Sequence, residues 1–143
     1  MSAAVSAAAD RTVPLAEALE PEHFFQAAVS ETCRALILAF VGEPSPSVRQ
    51  QLEEAARPIH VEFRRVNHGL AKLQRLSDRV HRDMALWATR GAELSSWGPT
   101  WTSNKVSIGL VKYDPDVARL IEAHYGADLV EVEPRDVPYM DLF

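Results

Sequence analysis

The sequence predicts an α+β fold, and three observations carry that prediction. From Ile59 to Val132 the hydrophobic pattern switches between period two and helical spacing in the order β-α-β-β-α-β, the split βαβ of ferredoxin-like folds. The stretch 104–133, NKVSIGLVKYDPDVARLIEAHYGADLVEVE, reads as strand, helix, strand. Finally, CRALILAFVGEPSPSVRQQLEEAARPIHVEF can be laid over NKVSIGLVKYDPDVARLIEAHYGADLVEV with one gap in the loop. A β-hairpin–helix unit would thus precede the βαββαβ part (about 59–133) and repeat its second half. The match pairs Glu43-Pro44 with Asp114-Pro115, Leu52 with Ile121, and Val61-Glu62-Phe63 with Val130-Glu131-Val132. Right-handed crossovers would set both helices of the βαββαβ order on one face of a four-stranded antiparallel sheet.

Residues 1–12 are Ala/Ser-rich and read as a mobile leader with room for stray helical turns. Val13 to Leu19 would form a short helix docking through Leu15 and Leu19, broken by Glu20-Pro21-Glu22. The segment His23 to Val41 has two readings. As one helix it is apolar on nearly every side and would need complete burial. As two strands, FFQAAV and RALILAFV turning at Ser30-Glu31-Thr32, it gives a hairpin. The hairpin is preferred, and the repeat supports it. Ser47 would cap a helix carrying Val48, Leu52, Ala55 and Ala56, stopped by Pro58. Ile59 to Val66 is a strand with Val61 and Phe63 on one face and His60, Glu62 and Arg64 on the other.

Asn67 would cap the longest helix, about 68–90, with Leu70, Leu73, Leu76 or Ser77, Val80, Met84 and Trp87 as its apolar stripe and Gly91 as its stop. Ala92 to Trp97 is a strand, and Gly98 to Ser103 a loop. In the strand at 105–112, Val106, Ile108 and Leu110 alternate with smaller residues. Asp114-Pro115 then opens a helix with Val117, Leu120, Ile121 and His124, ended by Gly126. Leu129, Val130 and Val132 form the return strand. The expected organisation is a leader over 1–22, one domain over 23–134 with the long helix joining two repeats, and an extended tail over 135–143.

Composition narrows the function classes. A length of 143 residues suits one domain with a real core. A formal charge of −5 argues against a nucleic-acid binder, which would carry a basic face. The strand KVSIGLVK also lacks the aromatics that an RNA-stacking sheet needs. No apolar run reaches the roughly 18 residues of a spanning helix, so no membrane partner is expected. Cys33 is the sole cysteine, so no intrachain disulfide can form, and it reads as a small apolar residue in a strand. The N-terminus MSAAVSAAAD has no basic n-region and no long h-region, so the expectation is a cytoplasmic protein as the sequence stands, or a secreted one if a leader has been removed.

Catalytic patterns do not emerge. His23, His60, His68, His81 and His124 fall in no zinc spacing, and there is no GxSxG elbow, Walker loop or GxGxxG. No cofactor and no metal is expected, and the chain is read as non-enzymatic. Ser95, Ser96 and Ser103 are loop serines without an evident partner, and Glu131 and Glu133 read as residues of a solvated sheet face. Trp97 and Trp101 flank the 98–103 loop, where they would either form a partner-binding platform or cover the end of a core. The tail is the most distinctive piece. Pro134 and Pro138 hold it extended, and Val137, Pro138, Tyr139, Met140, Leu142 and Phe143 offer apolar side chains to a partner's groove or sheet edge.

The run Val61-Glu62-Phe63-Arg64-Arg65-Val66 leads into the long helix with Leu70 and Leu73. Gly91 precedes a strand, Asn104-Lys105-Val106 opens the next, and Leu120 and Tyr125-Gly126 precede Val130 and Val132. In these features the chain resembles the pro-regions of bacterial secreted serine proteases of the alpha-lytic protease and streptogrisin type, over roughly 59–134. The resemblance implies a domain that helps a chymotrypsin-like protease fold and inhibits it, with the tail in the active site and Phe143 in the residue-binding pocket. A different reading rests on fold analogy: βαββαβ sheets commonly pair into homodimers with small ligands at the interface.

Overall fold

The computed structural model describes residues 3–32 and 34–134. Its strands form two separate three-stranded sheets, and the chain divides between Lys72 and Leu73 into two compact units. The class is α+β. The length had suggested one domain, but each unit closes its own sheet.

In the first unit, α1 (Ala3–Leu19) takes the place of the expected leader. Alanine costs least to order in a helix, and Val5, Ala8, Thr12 and Ala16 form a stripe that is fully buried. The small side chains let α1 lie close to α2 (Pro46–Ala56) and to the hairpin, and Thr12 Oγ1 donates to the Ala8 carbonyl inside the helix. The segment 23–41 is the hairpin, β1 (Phe24–Val29) and β2 (Ala35–Val41), with β3 (His60–Val66) parallel to β2. Leu36, Leu38 and Phe40 enter a core with Phe24, Leu52, Ala56 and Val61. Ala35, Ile37 and Ala39, on the opposite face of β2, are buried as well. Ser45 rather than Ser47 caps α2, its Oγ accepting from the Val48 amide with Pro46 in the first turn. Arg11 of α1 donates to the carbonyls of Ala55 and Arg57 where α2 ends.

The second unit follows the same plan. It comprises α3 (Leu70–Thr89, its first turn belonging to the first unit), β4 (Leu94–Thr100), β5 (Lys105–Leu110), α4 (Pro115–Tyr125) and β6 (Val130–Pro134). Helix α3 closes at Gly91, whose positive φ of 84° suits glycine, and the Ala92 amide reaches back to the Trp87 carbonyl. Its buried residues are Leu73, Val80 and Trp87; Met84 is 40% exposed. Strand β4 runs antiparallel to β5 and extends through Gly98-Pro99, which the sequence reading assigned to a loop. Proline is tolerated there because β4 is an edge strand. Asp114 caps α4 through the Asp116 amide, as expected from Asp114-Pro115. Strand β6 pairs in parallel with β5, Val106 opposite Val130 and Ile108 opposite Val132, and α4 packs against it.

The element order β-α-β-β-α-β over 60–134 is as expected, but the pairing differs from a ferredoxin-like sheet. That sheet would set β3 between β5 and β6. Here β5 and β6 bond directly, and β3 bonds to β2. A short parallel return after each helix satisfies β3 and β6 locally. The repeat is therefore longer than the sequence match showed. Leu19 and Thr89, Phe24 and Leu94, and Ala35 and Lys105 each lie 70 positions apart; Pro46 and Pro115, and Ala56 and Tyr125, lie 69 apart. Both units read α-β-β-α-β. The offset equates Ser45-Pro46, not Glu43-Pro44, with Asp114-Pro115, and Leu36 with Val106. The sequence match had set β2 one residue away from that register, which would turn every side chain to the other face.

Candidate interaction surface

The partner-binding residues expected from the sequence divide in two. Val137, Pro138, Tyr139, Met140, Leu142 and Phe143 lie outside the described residues. Trp97 and Trp101 are described, and both are half-buried. Trp97 stands opposite Ile108, on the apolar face of its sheet, with its ring 5.3 Å from that of His81 of α3. Trp101 sits in the β4–β5 turn. That turn ends at Asn104, buried with φ 54°, a backbone region that asparagine tolerates better than most side chains.

The polar face of the same sheet carries groups that the sequence reading left without partners. Residues opposite one another on paired strands share a face, so Ser107 and Gly109 of β5 lie beside Glu131 and Glu133 of β6. Ser107 Oγ donates to Glu133 Oε1 at 2.7 Å, and Ser103 Oγ to Glu131 Oε1 at 2.9 Å. Thr100 Oγ1 lies 2.7 Å from Ser103 Oγ. The two glutamates are half-buried, not solvated as expected. A hollow of about 450 Å³ opens over β4 and the centre of β5, bordered by Ser96, Trp97, Gly98, Thr100 and Ser107. The signal for this cluster was the alternation of Glu131 and Glu133, which acquires meaning only once β5 and β6 are in register.

A second hydrogen-bonded set ties α3 to α4. Trp87 Nε1 donates to Tyr125 Oη at 2.8 Å, and Tyr125 Oη donates to Asp83 Oδ2 at 2.7 Å. The His124 ring meets Trp87 edge-on at 5.3 Å. Burial, with Asp83 beside it, pushes the Tyr125 hydroxyl up to about 12, against a smaller opposing effect of the Trp87 hydrogen bond. The sequence reading placed Trp87 on the apolar stripe but did not find this chain, because it joins residues 38 and 42 positions apart. A pH dependence follows. Between the ordinary tyrosine value near 10 and about 12, the unfolded chain loses this proton and the folded one keeps it. Stability contributed by the group is complete below pH 10 and falls as pH rises toward 12. Thermal melts across that range should show a steeper loss for the natural chain than for Tyr125→Phe.

Comparison with protein-family models and with curated proteins gives no match. Among the described residues no helix is long and apolar enough to cross a membrane.

Proposed function

We propose that the chain is a non-enzymatic interaction domain, similar to a protease pro-region, that binds a chymotrypsin-like serine protease as inhibitor or folding aid. One observation carries this reading. Strand β6 is the last strand of the β4–β5–β6 sheet, among the described residues bonded on one side only, and it runs directly into residues 135–143. An edge strand is a template for strand addition by a partner. The tail that continues from it carries six apolar side chains around Asp141, the composition of a peptide that fills a protease cleft. The sequence resemblance supports the same arrangement. Titration calorimetry against a chymotrypsin-like protease tests it. The full chain should bind the free enzyme, and binding should weaken by about two orders of magnitude for a chain ending at Pro134, the size of a lost hot spot. Equal binding by both chains would remove the tail from the interface.

The hollow over β4, bordered by Ser107, favours a second reading, a small-ligand or regulatory module acting as a homodimer. Sedimentation as a monomer at all concentrations would count against it.

A further inference from the structure

The hollow over β4 and the centre of β5 has an internal standard in the first unit. The offset of 70 positions equates Ser95 with Phe25 and Ser107 with Ile37, and the pairing of each first strand is interrupted just after Phe24 or Leu94. Gly98 stands opposite Ser107 as Ala28 stands opposite Ile37. Phe25 and Ile37 are buried apolar side chains. The fold therefore accepts bulk at both places. The second unit has two hydroxyls there instead, beside about 450 Å³ of open space. Ser95 borders that space, and its hydroxyl oxygen is buried with no hydrogen-bond partner among the described residues. A buried hydroxyl left unsatisfied costs stability in the unliganded chain.

We propose that this hollow binds a small organic ammonium ion, a protonated amine on a short apolar body. The direction of the hydrogen bonds selects a donor. Ser107 has one proton and gives it to Glu133, and Ser103 gives its own to Glu131. The Thr100 hydroxyl, 2.7 Å from Ser103 Oγ, must then donate to it. Ser107 and Thr100 thus offer only lone pairs to an occupant, whereas the Ser95 and Ser96 hydroxyls can turn to either role. Both hydrogen-bonded runs end on a carboxylate, and among the described residues no Lys or Arg borders the hollow. Lone pairs backed by carboxylates suit a positively charged N–H donor and oppose an anion. Trp97 and Pro99 also border the space and supply apolar surface, as in most small-molecule sites of this size. The inference rests on the small-ligand reading and is independent of the protease one.

Hexylamine is the probe, with 1-hexanol and hexanoate as its neutral and anionic counterparts, each titrated at neutral pH into the isotope-labelled full chain. Amide shifts at Ser96, Gly98 and Ser107 should saturate with hexylamine at a dissociation constant on the order of 1 mM, as suits so small a ligand. Hexanol should bind at least about tenfold more weakly, since its hydrogen bond carries no charge, and hexanoate should not bind. Glu133→Gln keeps an acceptor for Ser107 but removes the charge, and should weaken hexylamine to the level of hexanol. Ser107→Ile, which installs the residue of the first unit, should abolish binding with the rest of the spectrum unchanged. Gly98→Val fills the hollow from a position where a Cβ meets nothing within 4 Å, and carries the same expectation. Hexanol or hexanoate binding as tightly as hexylamine would overturn the inference while leaving the small-ligand reading in place. Hexylamine shifts that persist in both filled variants would also overturn it, and so would the lack of a saturable shift with hexylamine; sedimentation still judges the homodimer reading separately.

Discussion

Leu52→Ala and Ile121→Ala should each lower the stability of their own unit by about 2–5 kcal/mol. The two side chains hold equivalent positions, on α2 and α4, and both are completely buried. Leu52 belongs to a core with Phe24, Leu36, Leu38, Phe40 and Val61, so truncation leaves a cavity among rigid neighbours as well as losing its transfer energy. Ile121 sits on the buried stripe of the helix that packs on β6. Leu120→Ala, one residue away on the exposed face, should change stability by less than about 0.5 kcal/mol. Denaturant unfolding of the three variants checks this. Similar losses at positions 120 and 121 would contradict the helix orientation described above.

Gly69→Ala should destabilise the first unit by about 1–3 kcal/mol or more. A Cβ at Gly69 would come within 2.3 Å of the Glu22 carbonyl oxygen and 3.1 Å of its carbon. Both are backbone atoms, so no side-chain rotation relieves the clash; either α3 or the chain entering β1 must move. Gly98→Ala, where nothing lies within 4 Å, is the control. Melting temperatures of the two variants should separate clearly, and equal values would mean that the approach of residue 69 to Glu22 is looser than described.

Much of this architecture could be read from the residues. Asp114-Pro115 and Gly126 marked both ends of α4, and alternation marked β5 and β6. The last turns of α1, from Val13 to Leu19, were legible as a helix, but its first turns were not, because an Ala/Ser run scores equally as helix and as leader until a surface is available to bury its stripe. The neighbour of β3 was not legible either. Val61 and Phe63 alternate with polar residues in the same way whether β3 joins β2 or lies between β5 and β6, and only the short return after α2 decides it. Trp97 and Trp101, proposed for the partner surface, stand out in the sequence through their place beside a Gly-Pro pair. The Ser107–Glu133 and Ser103–Glu131 contacts do not, since they bridge 26 and 28 positions and depend on strand register.

In the proposed function, the end of the tail enters a protease active site. The most direct measurement is inhibition of a chymotrypsin-like protease acting on a small substrate with an aromatic residue before the scissile bond, using the full chain and Phe143→Asp. Competitive inhibition by the full chain is expected, with an inhibition constant about 100-fold weaker for Phe143→Asp, because a carboxylate is costly in an apolar pocket. Inhibition that is not competitive with the substrate, or is equal for the two chains, or is absent for both, would contradict it.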